Sequence, residues 1–114
     1  MTKKNIEQMP EYFDRYINLV DDIDLIKAFE NSIVQLQNID IDNWNKLENK
    51  TYEKDKWTIK EIVKHLSDWE RIFCYRTLLF ARNEEAYPQG FDEDFLASQS
   101  KANAENLLDL INEL

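Results

Sequence analysis

His65 is the only histidine in the chain, and it is the residue with the widest chemical range. A neutral imidazole is a common ligand of zinc, nickel and iron, and it changes charge near neutral pH. Histidine also occurs as a packed, half-buried side chain without a chemical role. Judged from its surroundings in the sequence, His65 is better explained as a packed residue, because one imidazole supplies neither the affinity nor the geometry of a metal site.

Three further residues lie on the same side of the helix as His65. A 100° step per residue aligns four positions at i, i+4, i+7 and i+11, namely His65, Trp69, Ile72 and Arg76. We interpret this row as the lining of a small cleft in which Trp69, Ile72 and Arg76 contact a substrate. Trp69 also fits a core position, and Arg76 also fits an ion pair with a carboxylate of residues 92–93.

A long helix is predicted to carry this row. Thr58 and Glu61 have the spacing of a capping box, and Trp57 can pack on Ile62 as a hydrophobic staple. Apolar residues then recur at spacings of three, four and seven, which predicts one buried stripe made of Ile59, Ile62, Val63, Leu66, Trp69, Phe73 and Phe80. The helix is expected to run from Thr58 to about Ala81.

Shorter amphipathic segments flank the long helix. Residues 1–9 are polar and are predicted to form a flexible N-terminal tail, followed by a short helix over residues 10–20. Asp22 or Asp24 is expected to cap the next helix. A helical turn is predicted near residues 42–47.

The composition indicates one all-α domain over residues 10–114. One glycine and two prolines among 114 residues are too few for a fold rich in turns, and they exclude glycine-rich phosphate loops. The net charge of −9 argues against a nucleic-acid partner, which requires a basic surface.

The cellular setting follows from three absences in the sequence. No apolar run approaches the length of a membrane span, so no membrane partner is expected. The first five residues are not followed by the apolar region of a signal peptide. The single cysteine, Cys74, permits no disulfide within the chain and is interpreted as a small buried apolar residue rather than a nucleophile. These observations predict a cytoplasmic protein.

The last predicted helix, which Asn103 is expected to cap, indicates whether one copy of the chain forms a complete bundle. Its apolar face continues to Leu114, where no glycine, asparagine or basic residue closes it. Three amphipathic helices leave one side of an antiparallel bundle uncovered. We therefore expect either a sequence cut short or a homodimer that completes the bundle, and we favour truncation, with an exposed apolar strip on the chain.

In several segments the chain resembles the DinB-like superfamily of four-helix bundles, whose members are regarded as metal-dependent enzymes. The matching segments are Tyr16–Val20, Trp57–Arg76, Phe80–Arg82 and Gly90–Asp94. The resemblance extends from about residue 10 to the end of the chain. It implies an up-down-down-up bundle in which three main helices are present and the last one is missing.

The resemblance also implies an activity and a cofactor. Family members often hold a divalent ion with three histidines, and His65 matches the first of them. The other two usually lie on a later helix, which this sequence lacks. The implied cofactor is zinc, nickel or iron, which would activate a thiol or a water for transfer to, or hydrolysis of, a small-molecule substrate.

Two hypotheses of different class remain. In the first, the parent protein is a metal-dependent hydrolase or thiol transferase with His65 as one ligand and Trp69, Ile72 and Arg76 in the substrate cleft. In the second, the chain is a non-catalytic helical module that dimerises, and His65 is structural. The catalytic residues are not identified by the sequence in either case.

Overall fold

The computed structural model describes residues 1–47, 49–82 and 89–114. Six α-helices occur in these ranges: α1 (Asp14–Ile17), α2 (Leu25–Gln37), α3 (Ile41–Asn45), α4 (Ile59–Ala81), α5 (Glu93–Gln99) and α6 (Leu107–Glu113). Two 3-10 turns, Lys3–Asn5 and Ala102–Ala104, accompany them. None of the described residues forms a β-strand, so the all-α prediction is confirmed. No helix among them is long and apolar enough to cross a bilayer.

The chain divides into two compact units, residues 1–39 and residues 40–114, and each is described by itself. In the first unit, Asp24 is the cap of α2, because its carboxylate accepts a hydrogen bond from the Ile26 amide at 3.0 Å. The same carboxylate binds the amino group of Met1 at 2.6 Å. The boundary expected at residue 10 and the flexibility of residues 1–9 stay predictions.

The first helix is much shorter than the sequence pattern predicts. Only Asp14–Ile17 is α-helical, whereas a helix was expected over residues 10–20. Tyr12 has a φ angle of 72°, in the left-handed region, which is incompatible with a continuous right-handed helix. The expected helix is therefore wrong over most of its length.

The second unit is built around α4, which packs against α5, α6 and the turn Ala102–Ala104. Its buried core consists of Val63, Ala102, Leu107 and Leu110. Partly buried apolar residues surround this core, namely Ile41, Trp44, Ile59, Ile111 and Leu114. The predicted turn near residues 42–47 is present as α3, which contributes Ile41 and Trp44 to this packing.

The N-terminal end of α4 agrees with the predicted capping box. Thr58 Oγ1 accepts from the Glu61 amide at 3.2 Å, and Glu61 Oε2 accepts from the Thr58 amide at 2.8 Å. Asn103 was expected to cap the last helix, but Asn106 does so by accepting from the Leu108 amide at 2.9 Å. Asn103 lies in the preceding 3-10 turn instead.

The predicted buried stripe of α4 is only partly correct. Val63 and Ser67 are buried, whereas Leu66, Phe73 and Phe80 are 45%, 50% and 62% exposed. Apolar residues occupy more than one side of α4, and the buried core lies on the side that carries Val63. Cys74, which was expected to be buried, is exposed. The row of His65 lies on a different side of the helix.

Candidate functional site

The four residues of the predicted row are all half-buried on α4. They are His65, Trp69, Ile72 and Arg76. They lie on the side of the helix roughly opposite Val63 and Ser67, as the 100° step per residue requires. The alignment of these four side chains on one side of α4 is therefore confirmed. Their role in substrate binding stays a prediction.

His65 lies between two indole rings. Its ring centroid is 4.7 Å from that of Trp57, which precedes α4, and 5.9 Å from that of Trp69, one turn further along the helix. The Trp69 ring in turn lies 5.3 Å from Phe73. These distances are typical of aromatic pairs that stabilise a packed cluster. The geometry makes His65 a member of an aromatic stack.

Arg76 ends the row with its guanidinium packed between rings. Its Cζ lies 5.5 Å from the Trp69 ring centroid and 5.8 Å from that of Phe91. Its Nη2 donates a hydrogen bond to the Gln89 carbonyl at 2.9 Å. Arg76 was also considered as the partner of a carboxylate at residue 92 or 93. Among the described residues, no ion pair joins Arg76 to either of them.

Two polar atoms of the row are buried without a hydrogen-bond partner among the described residues. They are Trp69 Nε1 and Arg76 Nε. An unpaired buried donor costs about 1–3 kcal/mol. Aromatic and cation–π packing therefore holds this side of α4 together, and hydrogen bonding contributes less to it than at the capped end of the helix.

An open groove of about 370 Å³ adjoins the start of α4. Its lining consists of Tyr52, Asp55, Lys56, Trp57, Ile62 and Asp94. Trp57 is shared with the aromatic stack, but the groove is a different place from the row of His65. The sequence pattern did not indicate this groove, because its walls come from three places in the chain: the loop before α4, Ile62 of α4 and Asp94 of α5.

The described residues do not fit a three-ligand metal centre. No group of three or more histidine, cysteine, aspartate or glutamate side chains in residues 1–47, 49–82 and 89–114 is arranged to hold a metal ion. His65 has indole rings beside it rather than further donors. The described residues therefore do not include the further histidines that the resemblance implies, and the metal cofactor stays a prediction.

A charged cluster joins α4 to α6 on yet another side of α4. Lys64 Nζ lies 2.9 Å from Glu113 Oε2, and Arg71 Nη2 lies 2.6 Å from Glu113 Oε1. Lys64 also approaches Glu105 at 3.7 Å. The hydrogen bond from Lys64 lowers the pKa of Glu113, with a second contribution from Arg71. The same bond to Glu113 raises the pKa of Lys64.

Sequence reasoning missed this cluster, although one signal for it exists. Lys64 and Arg71 are seven residues apart and therefore share a side of α4. Their common partner, Glu113, is 42 residues beyond Arg71 and depends on how α6 packs.

The comparisons with known proteins find no counterpart. No protein-family model, no curated protein and no solved structure matches the chain.

Proposed function

We propose that this chain is a non-catalytic helical module that dimerises, with His65 in a structural role. The observation that carries the structural role is the position of the imidazole between the rings of Trp57 and Trp69. A side chain used for packing is expected to sit in this way, whereas a metal ligand needs further donors beside it.

The module is proposed to be of the DinB-like type. The support is the segment Trp57–Arg76, which carries the resemblance and coincides with the capped start and the middle of α4. An up-down-down-up arrangement of four helices is the finer form of this proposal. It requires elements that complete the bundle around α4, and a second copy of the chain would supply them.

Dimerisation is supported by apolar surface on both units. In the first unit, α2 carries an apolar stripe of exposed residues, namely Leu25, Ile26, Phe29 and Ile33. In the second unit, Leu66, Phe73 and Phe80 of α4 are exposed. Monomeric proteins rarely leave contiguous apolar patches of this kind in water, and such patches mark interaction surfaces.

The metal-dependent hydrolase or transferase activity receives less support from the geometry. It would need at least two ligands besides His65, and the described residues do not present them. Of the residues predicted to contact a substrate, Trp69 packs against Phe73, and Arg76 lies over the Trp69 ring. Both side chains are therefore accounted for by packing, whereas the role of Ile72 stays a prediction.

Two measurements on the purified chain test the proposal. Elemental analysis after exchange into chelator-free buffer is expected to find no stoichiometric divalent ion, and sedimentation equilibrium is expected to give the mass of a dimer. His65→Phe, which keeps an aromatic ring, is expected to remain folded and dimeric. One ion per chain or per dimer that disappears in both His65→Ala and His65→Phe would overturn the structural role.

A further inference from the structure

We propose that the open groove beside the start of α4 binds an organic ammonium ion, that is, a nitrogen cation whose substituents are alkyl groups. All of the lining residues belong to the second unit, so the groove lies within residues 40–114. The inference goes beyond the proposed dimerisation and does not depend on it, because the lining shares no residue with the exposed apolar residues that support the dimer.

The loop before α4 supplies most of the lining and is held at both ends. Thr51 and Thr58 form an isolated antiparallel bridge, which closes the loop over residues 52–57. Within the loop, the Lys56 amide donates a hydrogen bond to the Glu53 carbonyl at 3.4 Å. Thr58 is buried and caps α4, so this end of the loop is fixed to the helix. A loop held in this way loses less conformational entropy when it binds a ligand.

Two aromatic side chains of this loop, Tyr52 and Trp57, line the groove. Tyr52 is 77% exposed, so its ring is accessible to a ligand. Trp57 is half-buried, because the His65 ring packs against it at 4.7 Å while another part of its surface contributes to the groove. The face of an aromatic ring attracts cations, and an indole does so most strongly. The two rings therefore favour a positively charged ligand over an anion.

Asp94 reaches the groove from α5, which is anchored independently of the loop. The Asp92 carboxylate caps this helix by accepting a hydrogen bond from the Phe95 amide at 3.0 Å. Ala97 of the same helix is buried, and α5 packs against α4. The position of Asp94 beside the loop is therefore set by helix packing.

The charged side chains of the lining favour the same sign of ligand. Asp55 and Asp94 contribute two negative charges and Lys56 one positive charge, which leaves a net charge of −1. Asp55 approaches Lys54 at 4.0 Å, but the two side chains are 85% and 90% exposed, so this ion pair is weak. Among the described residues, no ion pair joins Asp94 to a lysine or arginine. A cation in the groove is therefore attracted by two carboxylates and repelled by one ammonium group.

An alkylated ammonium group fits these walls better than a metal ion does. A metal ion requires more donors than two carboxylates, and no group of three or more histidine, cysteine, aspartate or glutamate side chains in the described ranges is arranged to hold one. Ile62 of α4 adds an aliphatic wall to the groove, whose volume of about 370 Å³ is in the range of small-molecule sites. Aromatic rings, carboxylates and an aliphatic side chain together match a trimethylammonium group, which presents a positive charge behind methyl groups.

Choline tests the proposal, and its tert-butyl analogue, in which carbon replaces the charged nitrogen, is the neutral probe of the same shape. The signal is the indole N–H resonance of Trp57 in an NMR titration of the full chain, identified by its loss in Trp57→Phe. Choline is expected to shift this resonance with a dissociation constant on the order of 1 mM, because cation–π contacts in an open groove are weak. The neutral analogue is expected to leave it unshifted. Equal shifts with both probes, or none with choline, would overturn the proposal.

A short peptide that carries a trimethyllysine is the second arm of the titration, because the same chemical group also occurs on protein side chains. Peptide binding that is at least roughly tenfold tighter than choline binding would assign the ligand to a methylated lysine of a partner, since further contacts add affinity. Peptide binding that is equal or weaker would assign it to a free small cation.

Charge substitutions separate the groove from the charge of the whole chain. Asp94→Asn is expected to raise the dissociation constant for choline roughly threefold, since it removes one exposed attraction. Asp109→Asn, at an exposed position of α6 outside the lining, makes the same change in net charge and is expected to have no effect. Lys56→Gln removes the positive charge of the lining and is expected to lower the constant about twofold. Circular dichroism verifies that each variant is folded. Equal effects of the two aspartate substitutions, or weaker binding by Lys56→Gln, would contradict a cation in this groove.

Discussion

Two neighbouring faces of α4 differ in what covers them. One side buries Val63 and Ser67 against α5, α6 and the turn Ala102–Ala104. The other exposes Leu66 and Phe73, which are at least as hydrophobic. The difference teaches that hydrophobicity alone does not decide which side of a helix becomes core. The residues available from the rest of the chain to pack against each side decide it.

The largest effect is expected at the centre of the covered side. Leu110→Ala is expected to lower the free energy of unfolding by about 2–5 kcal/mol, because Leu110 is 0% exposed and its removal leaves a cavity. Leu66→Ala, measured under dilute conditions where the chain is monomeric, is expected to cost less than about 1 kcal/mol, since its side chain keeps much of its exposure. Urea denaturation compares the two. Equal losses would show that Leu66 is buried in the monomer.

The next largest loss of stability is expected when the aromatic stack around His65 is disrupted. His65→Ala is expected to lower the free energy of unfolding by about 1–2 kcal/mol, since it removes ring contacts with Trp57 and Trp69. His65→Phe restores a ring and is expected to recover most of this loss. Thermal unfolding followed by tryptophan fluorescence measures both variants. A phenylalanine variant as unstable as the alanine variant would contradict a packing role for the imidazole.

A somewhat smaller loss of stability is expected when the hydrogen bonds between Asn103 and the start of α4 are removed. Thr58 Oγ1 donates to Asn103 Oδ1 at 2.7 Å, and Asn103 Nδ2 donates to Glu61 Oε1 at 3.0 Å. Asn103→Ala removes both bonds and leaves Thr58 buried, so a loss of about 1 kcal/mol is expected. Asn112→Ala, at an exposed position of α6, is the control in the same denaturation assay. If Asn112→Ala lowered the free energy of unfolding as much as Asn103→Ala, the hydrogen bonds of Asn103 would not be the cause of the loss.

The smallest expected effect is the pH dependence of the charged cluster between α4 and α6. The pKa of Glu113 is lowered by Lys64 and Arg71, so its contribution to stability is present above the ordinary glutamate pKa. That contribution is lost as pH falls through the lowered value. Lys64 has a raised pKa, so its contribution is lost only as pH rises above the ordinary lysine value of 10.5. Glu113 is exposed, and screening by solvent keeps the effect small.

The variant Glu113→Gln measures this dependence. The difference in thermal stability between the wild type and Glu113→Gln is expected to shrink on acidification below the ordinary glutamate pKa and to stay constant between about pH 6 and 8. A difference that grows on acidification would mean that the pKa of Glu113 is raised. Added salt is expected to reduce the difference at neutral pH, because it screens exposed ion pairs.

Local features of α4 were predictable from the sequence, and its surroundings were not. Thr58 and Glu61 are three residues apart, so their reciprocal hydrogen bonds depend only on local geometry, and the predicted bounds of the helix agree with α4. The 100° step likewise placed Trp69 and Arg76 in one row with His65. The role of Asn103 was mistaken because its partners, Thr58 and Glu61, are more than 40 residues away in the chain.

The expected helix at residues 10–20 illustrates a different limit. Tyr12 and Tyr16 have the spacing of one helical face, but the backbone of Tyr12 adopts a left-handed conformation. Their rings lie 6.1 Å apart, and Arg15 covers the Tyr12 ring at 4.0 Å. The side chains of Tyr12, Arg15 and Tyr16 therefore pack together although the backbone at Tyr12 is not helical, contrary to the prediction.

By itself, the sequence determined the helical class, the start of α4 and the alignment of the row that contains His65. These follow from composition and from interactions within a few residues, whose geometry is set by the helix itself. The tertiary structure alone decided that Val63 rather than Leu66 faces the core and that Glu113 meets Lys64. It also decided that His65 lies between two indole rings. The first two depend on which distant segment packs against α4, and a periodic apolar pattern does not specify that choice. The third depends on how the segment just before α4 places Trp57 beside His65.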